Sequence, residues 1–481
     1  MQQTSVLSNI YRFIQKRQKF TLAMVAICNP SAVNAAVATP LPPILNYHPV
    51  CEPTVLKEHT DRRHLKSYQD GDAERAATEK ANFLLSLRQQ AAADGADALI
   101  LQRVHSSVEY DDRNKTQHRL KIEGSASFIK FCDGNSELSN RPTRWSEDGA
   151  VQNAKSTTHR ISISNDLISS TPPTKLAPLS QEVSFNKGVF GVQPGMTKMQ
   201  VEHLFGQADA KIQLQNGLTA HVYGRQLFLV FSDVLLQIQT ERQFLSSYGQ
   251  NLLELHDHFD SNSWLLASKV SYRSKIADVR QQLPTATNAG AQQLQLNNHQ
   301  YQLLLKFEKY SLEHQKPAES LVTGFMLKNA SEKTQPLKVP LVSTELYLTV
   351  LQQLQPERLQ QAPVWSTLTV PPALPEHQFK TERGQWRILG DYIQVQIDDD
   401  LVKKLRIADS VFYRPDQPSI FHKLYQSLGL PIQKQQLLTM FSDGELYHQK
   451  FNLYRDNFQL QISFDSDADD AKPEEVILSY F

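Results

Sequence analysis

The residues best suited to chemistry are short runs of carboxylates and histidines. Asp465-Ser466-Asp467-Ala468-Asp469-Asp470 places three carboxylates at alternate positions, as a calcium-binding loop begins. The pattern then breaks. Asp470 stands where the sharp turn wants glycine, and Val476 stands where a bidentate glutamate is needed. Asp465, Asp467 and Asp469 are the candidate ligands, in a stretch that otherwise reads as a solvated hairpin tip between Phe464 and Val476. His256-Asp257-His258 with Asp260 is a second set. On a helix His256 and Asp260 share a face while His258 points elsewhere, giving one or two ligands rather than the three or four a metal site uses. Asp398-Asp399-Asp400 lies between two alternating segments and reads as a hairpin turn.

Nucleophilic chemistry has no better foothold. The chain has no Gly-x-Ser-x-Gly elbow, no Gly-x-Gly-x-x-Gly and no Walker-type loop. Lys plus Arg and Asp plus Glu balance at 50 each, which argues against a general binder of nucleic acid or anionic surfaces. The residues therefore point to a non-enzymatic protein with no cofactor that binds another protein of the cell envelope. The alternatives are a hydrolase or other enzyme with its site between repeats and a calcium-dependent binder.

The elements that position these residues begin with an export signal. Arg12, Lys16, Arg17 and Lys19 precede the apolar run Phe20–Cys28, which is too short to span a bilayer permanently. Val33-Asn34-Ala35 and Ala36-Val37-Ala38 are small-residue cleavage sites, so residues 1–38 read as a signal peptide and the mature chain as periplasmic or secreted, with no stable transmembrane segment. Cys28 would suit a lipoprotein, but Ile27 stands where a small residue is required. Cys51 and Cys132 then remain as an even pair in an exported chain, which suggests a disulfide. Closing a loop of that length stabilises by roughly 4–5 kcal/mol in the chain-entropy model.

Residues 39–132 read as a small α/β module: a helix over Asp72–Asp94 stopped by Gly95, a strand over Asp97–Val104, and another over Arg119–Cys132 bent at Gly124. Residues 133–184 are rich in Ser, Thr, Asn and Pro and read as a flexible linker. Beyond it a pattern of short helix, loop and strands recurs four times, grouped as residues 185–330 and 335–481. Its first copy is Gly195-Met196-Thr197-Lys198, with Thr197 as helix cap and Gly206 as helix stop, followed by strands at His221–Tyr223, Leu227–Phe231 and Leu235–Ile238. Later copies carry rows such as Tyr301, Leu303, Leu305 and Phe307, or Phe458, Leu460, Ile462 and Phe464. Period-two alternation puts these on a buried face and leaves Gln302, Gln394, Gln396, Gln459 and Gln461 on a wet one.

Gly195-Met196-Thr197-Lys198, then Gln200-Val201 and Leu204-Phe205-Gly206, resembles the signature of the SmpA/OmlA family, to which BamE belongs; Gly206-Gln207-Ala208 departs from the family's Gly-x-Pro. The resemblance implies an α+β fold, with tandem BamE-like units of short helices packed on antiparallel sheets, and a habit of binding other proteins. Gly95-Ala96-Asp97-Ala98, a strand, and Gly124-Ser125-Ala126 leading to Cys132 resemble small envelope proteins of the RcsF type, without their second cysteine pair.

Overall fold

The structure, a computed structural model, describes residues 41–45, 47–49, 52–68, 73–110, 118–132, 146–152, 158–159, 168–169, 180–253, 255–260, 264–311, 318–354, 362–381, 384–398 and 400–480. Residues 1–38, Cys28, Cys51 and Asp399 lie outside them.

The chain first forms β1 (Ile44–Leu45), β2 (Thr54–Tyr68), α1 (Ala73–Ala93), β3 (Ala98–Tyr110), β4 (His118–Lys130), β5 (Ser146–Gln152), β6 (Thr158–His159) and β7 (Ile168–Ser169). The strands order as β2-β4-β3-β1-β7, with β5 also beside β3 and β6 beside β5. Three segments of the stretch read as linker thus join this sheet. Helix α1 lays Phe83, Leu84, Leu87 and Ala91 over Leu99, Leu101, Val104, Ile122 and Phe128. At Gly124 the Phe83 ring comes so close that a Cβ would sit 2.8 Å from it.

The rest of the chain repeats one course. After β8 (Glu182–Ser184) and β9 (Gly188–Val189) comes α2 (Lys198–Phe205). Its capping box is complete: Thr197 Oγ1 accepts from the Gln200 amide, and Gln200 Oε1 accepts from the Thr197 amide at 2.9 Å. Strands β10 (Ala210–Gln213), β11 (Thr219–Tyr223), β12 (Leu227–Phe231) and β13 (Leu235–Thr240) follow as a meander. Helices α3 (Ser247–Leu252) and α4 (Asp257–Asp260), β14 (Leu265–Leu266) and α5 (Ile276–Gln282) lead to β15 (Thr287–Gly290), β16 (Gln293–Asn297), β17 (Tyr301–Tyr310) and β18 (Glu319–Asn329). Then α6 (Thr344–Leu351) precedes β19 (Glu376–Thr381), β20 (Gly384–Leu389), β21 (Ile393–Asp398) and β22 (Leu401–Ile407). Helices α7 (Phe421–Ser427) and α8 (Lys434–Met440) precede β23 (Glu445–Tyr447), β24 (Lys450–Tyr454), β25 (Phe458–Phe464) and β26 (Pro473–Tyr480).

These four meanders form one sheet of sixteen strands, ordered β15-β16-β17-β18-β13-β12-β11-β10-β19-β20-β21-β22-β26-β25-β24-β23. Last strands meet within each half (β13 with β18, β22 with β26), and first strands meet between halves, β10 with β19, all antiparallel. The sheet therefore reads in the same sequence from either end to its middle. This overturns the expected α+β fold of tandem BamE-like units with helices packed on their own sheets. Strands dominate, and the helices α2–α8 are only four to eight residues long. The physical reason is the strand edges: a unit that stopped at four strands would expose two rows of unpaired amides and carbonyls, and pairing with the next unit satisfies them. Among the described residues no helix is long and apolar enough to cross a membrane.

Alternation sorts the sheet into two faces. One face buries Tyr223, Leu229, Leu303 and Leu305 under α2, α4 and α5 in the first half. In the second half it buries Val395, Leu405, Leu453 and Ile462 under α6, α7 and α8. The opposite face is expected to be wet, yet at the centre it is buried too. Ile212, Val222, Phe228, Phe379 and Ile388 pack there against Phe244, Leu245, Leu252 and Phe412, from the connections after β13 and β22. Leu245 bridges to Phe412, joining the two connections. Gln394 is accordingly fully buried and donates to Tyr248 Oη at 2.7 Å, and Gln237 and Gln239 are buried as well. The alternation located the second face correctly, but it carries no record of what covers that face.

Gly249 is where the two connections touch, since a Cβ there would lie 2.1 Å from the Val411 carbonyl oxygen. Gly249→Ala should cost about 1–3 kcal/mol in urea unfolding. Gly290→Ala, where the nearest atom lies at 3.9 Å, should stay within about 0.5 kcal/mol. Equal effects would mean that the connections are not packed in this way.

Candidate interaction site

The acidic run lies in the turn between β25 and β26. The buried Lys434 ammonium fills its inside, donating to the carbonyls of Ser466 at 2.9 Å and Ala468 at 2.8 Å. Asp465 Oδ1 accepts from the Lys472 amide, while Asp465, Asp467 and Asp469 face solvent. A lysine occupies the place where a cation would take these carbonyls, and among the described residues no group of three or more His, Cys, Asp or Glu is arranged to hold a metal. Asp260 is consumed by backbone, accepting from the amides of His256 at 2.8 Å and Arg225 at 2.7 Å, and the His258 ring packs edge-on against Phe190. Asp400 takes a left-handed turn conformation and accepts from the Ser366 amide. Thr54 pairs with Lys130, so Cys132 follows the end of the β2–β4 ladder that Cys51 precedes in sequence.

The charged groups that do converge were not singled out from the sequence. They line the central strip of the helix-covered face, where the N-terminal module meets β10, β19 and β21. Glu52 pairs with Lys198 of α2 at 3.1 Å and with Lys211 of β10. Lys380 of β19 reaches Nδ1 of His48 at 2.8 Å and Gln207 Oε1 at 3.1 Å. Burial works to raise the Glu52 carboxyl, but the two lysines outweigh it and hold it below the ordinary range. His221 is pushed down to about 3 by burial, helped by Lys211 and Lys198, so it stays neutral.

Glu58 of β2 is the group most strongly perturbed upward. Ser127 donates to both its oxygens, at 2.8 and 3.0 Å, and Gln102 donates to Oε2. Burial raises its carboxyl to about 7 in spite of these bonds; Asp398 at the end of β21 adds to the rise and Lys380 opposes it. This carboxyl is bonded to Ser127 and Gln102 of its own module and feels Asp398 and Lys380 across the junction, so its protonation is coupled to docking. The polarity of β2, whose charged residues outnumber its apolar ones, was the available signal for this strip.

Two adjoining clefts of about 470 and 420 Å³ lie on the other face, on either side of a Glu241–Lys306 pair at 2.8 Å. Their linings include several side-chain amides, among them Gln239, Gln243, Gln293 and Gln335.

The two outer edges complete the surface, and the repeated topology makes each a control for the other. From α5 into β15 and from α8 into β23, equivalent residues are offset by 158 positions: Val279 and Leu437 are the buried apolar helix residues, and Thr287 and Glu445 open the edge strands. The β15 edge is blunted. Gln282, Asn288 and Ala289 are exposed, a bulge interrupts pairing between Asn288 and Gly290, and Arg280 donates to Asn288 Oδ1 at 2.9 Å. At the same places the end of α8 presents Met440 and β23 presents Leu446 and Tyr447, and the end of β24 presents Tyr454 where β16 has Asn297. Tyr447 is 73% exposed and Tyr454 59%. Leu446 continues the row of Phe451 and Ile462, both fully buried, onto the edge strand.

Comparison of the chain with family models, with curated proteins and with solved structures finds no match.

The Glu58 carboxyl gives a pH dependence. Its value in the folded protein is raised above the ordinary 4.5, so its contribution to docking is full below that value and is lost as pH rises through about 7, by on the order of 2–3 kcal/mol. Proteolytic nicking of the N-terminal module should therefore accelerate as pH rises from about 5 to about 8 in the parent chain. Glu58→Gln should flatten that rise, and an unchanged rise in the variant would contradict the assignment.

Proposed function

We propose that this is an exported, non-enzymatic protein of the cell envelope that binds another protein by strand addition at β23. The observation that carries this reading is the contrast between the two edges. A bulge, polar residues and a capping arginine are the usual means of preventing edge-to-edge pairing, and they stand at β15. The equivalent positions in α8 and β23 carry Met440, Leu446 and Tyr447 instead. An added strand would take up the outer amides and carbonyls of β23 and cover Leu446. Export is supported by the basic, apolar and small-residue segments of residues 1–38. We include in the reading a Cys51–Cys132 bridge, supported by the even cysteine count after cleavage.

A photo-crosslinking residue placed at Tyr447 in living cells should capture a discrete partner, and the same residue at Ala289 should not. Leu446→Lys should abolish capture from position 447 while leaving thermal unfolding unchanged, because Leu446 is only partly buried at an edge. Equal capture from both edges, or capture that survives Leu446→Lys, would reject the reading.

A further inference from the structure

If β23 accepts a strand, as proposed above, the charges at its two ends select the sequence of that strand. At the Tyr447 end the chain turns through His448 and Gln449 into β24, and the acidic tip of the β25–β26 turn stands beside it: Asp467 Oδ2 lies 3.9 Å from His448 Nδ1. Asp465, Asp467, Asp469 and Asp470 are all exposed there, and the Lys434 ammonium is turned inward to the carbonyls of the tip. At the other end Glu445 is a single exposed carboxylate, and Asp443 nearby in sequence is paired with Arg455. Four exposed carboxylates thus gather at the C-terminal end of β23, where Lys450 of β24 pairs with Tyr447, against the single Glu445 at the other end, so the edge is electrostatically uneven along its length.

Every join in the sixteen-stranded sheet is antiparallel, so an added strand continuing the pattern runs antiparallel to β23 and brings its own N-terminal flank past the acidic tip. We infer that the partner is an extended segment of another protein with apolar residues at alternate positions, preceded on its N-terminal side by lysine or arginine. The apolar residues cover Leu446 and continue the row of Phe451 and Ile462; the basic flank meets Asp467 and Asp469. A second copy of this chain fits poorly. Antiparallel pairing of two β23 edges would bring the Asp467 end of each against Glu445 of the other, setting like charges together, which is a recognised device against self-association.

The test uses the full mature chain and three synthetic peptides with one alternating Val-Thr core: lysines before the core, lysines after it, or neutral flanks. Titration at low salt should show the first binding at least about tenfold tighter than the second, with the difference shrinking as salt is raised. In the double variant Asp467→Asn, Asp469→Asn the preference should disappear while the neutral peptide binds as before. Equal binding of the three peptides would overturn the charge inference and leave strand addition standing. Binding of none of them, or binding unaffected by Leu446→Lys, would overturn the edge reading itself. Sedimentation of the chain alone as a dimer that Leu446→Lys dissociates would replace the foreign segment with a second copy.

Discussion

The structure depends on one short junction, the antiparallel pairing of β10 with β19. Ala210 faces Phe379, Lys211 faces Gln378, and the Lys380 amide donates to the Asp209 carbonyl at 2.8 Å. So few ladder bonds contribute modestly on their own. What holds the junction is cover on both faces. On one side Ile212, Phe379 and Ile388 are sealed by Phe244, Leu245 and Phe412. On the other the polar strip of Lys211, His221 and Lys380 is closed by Glu52 and His48 of the N-terminal module. Apolar burial supplies the larger free energy, and the ion pairs fix position and register.

That arrangement explains why the first strands of the four meanders differ so much from the rest. Strands β10 and β19 are interior and closed on both faces; β15 and β23 are the outer edges of the same topology. One position in the repeat therefore serves two unlike environments, and at the outer edges it is a blunted polar strand in one half and a strand with exposed Leu446 and Tyr447 in the other. The binding reading rests on this divergence, which a single edge viewed alone would not reveal.

Much of the strand content was legible in the sequence, and the parts that were not share a cause. The strand read at Leu227–Phe231 stands there as β12, and the Phe458–Phe464 row is β25. Rows of apolar residues at every second position report burial against helices, so these strands announce themselves. The first strands do not. Ala210-Lys211-Ile212-Gln213 is short, Thr287-Asn288-Ala289-Gly290 has no apolar row, and Glu445-Leu446-Tyr447 sits beside a helix pattern. Their role is set by strands far away in sequence, through hydrogen bonds that any residue except proline can make. The same holds for Gln394, polar by composition and buried because Tyr248 from the other half lies over it. Glu58 is legible only as one charge in a charged strand. The acidic run was conspicuous, but its role comes from Lys434 inside it and His448 beside it, and spacing alone cannot supply either.

The measurement that tests the account most directly is native-state hydrogen exchange across the junction. If the sixteen strands form one sheet sealed on both faces at its centre, the amides of Lys211 and Lys380 should exchange as slowly as those of Leu229 in β12 and Val395 in β21, through the same global opening. Fast, independent exchange at β10 and β19, with slow exchange confined to each half, would show two separate sheets and contradict the account.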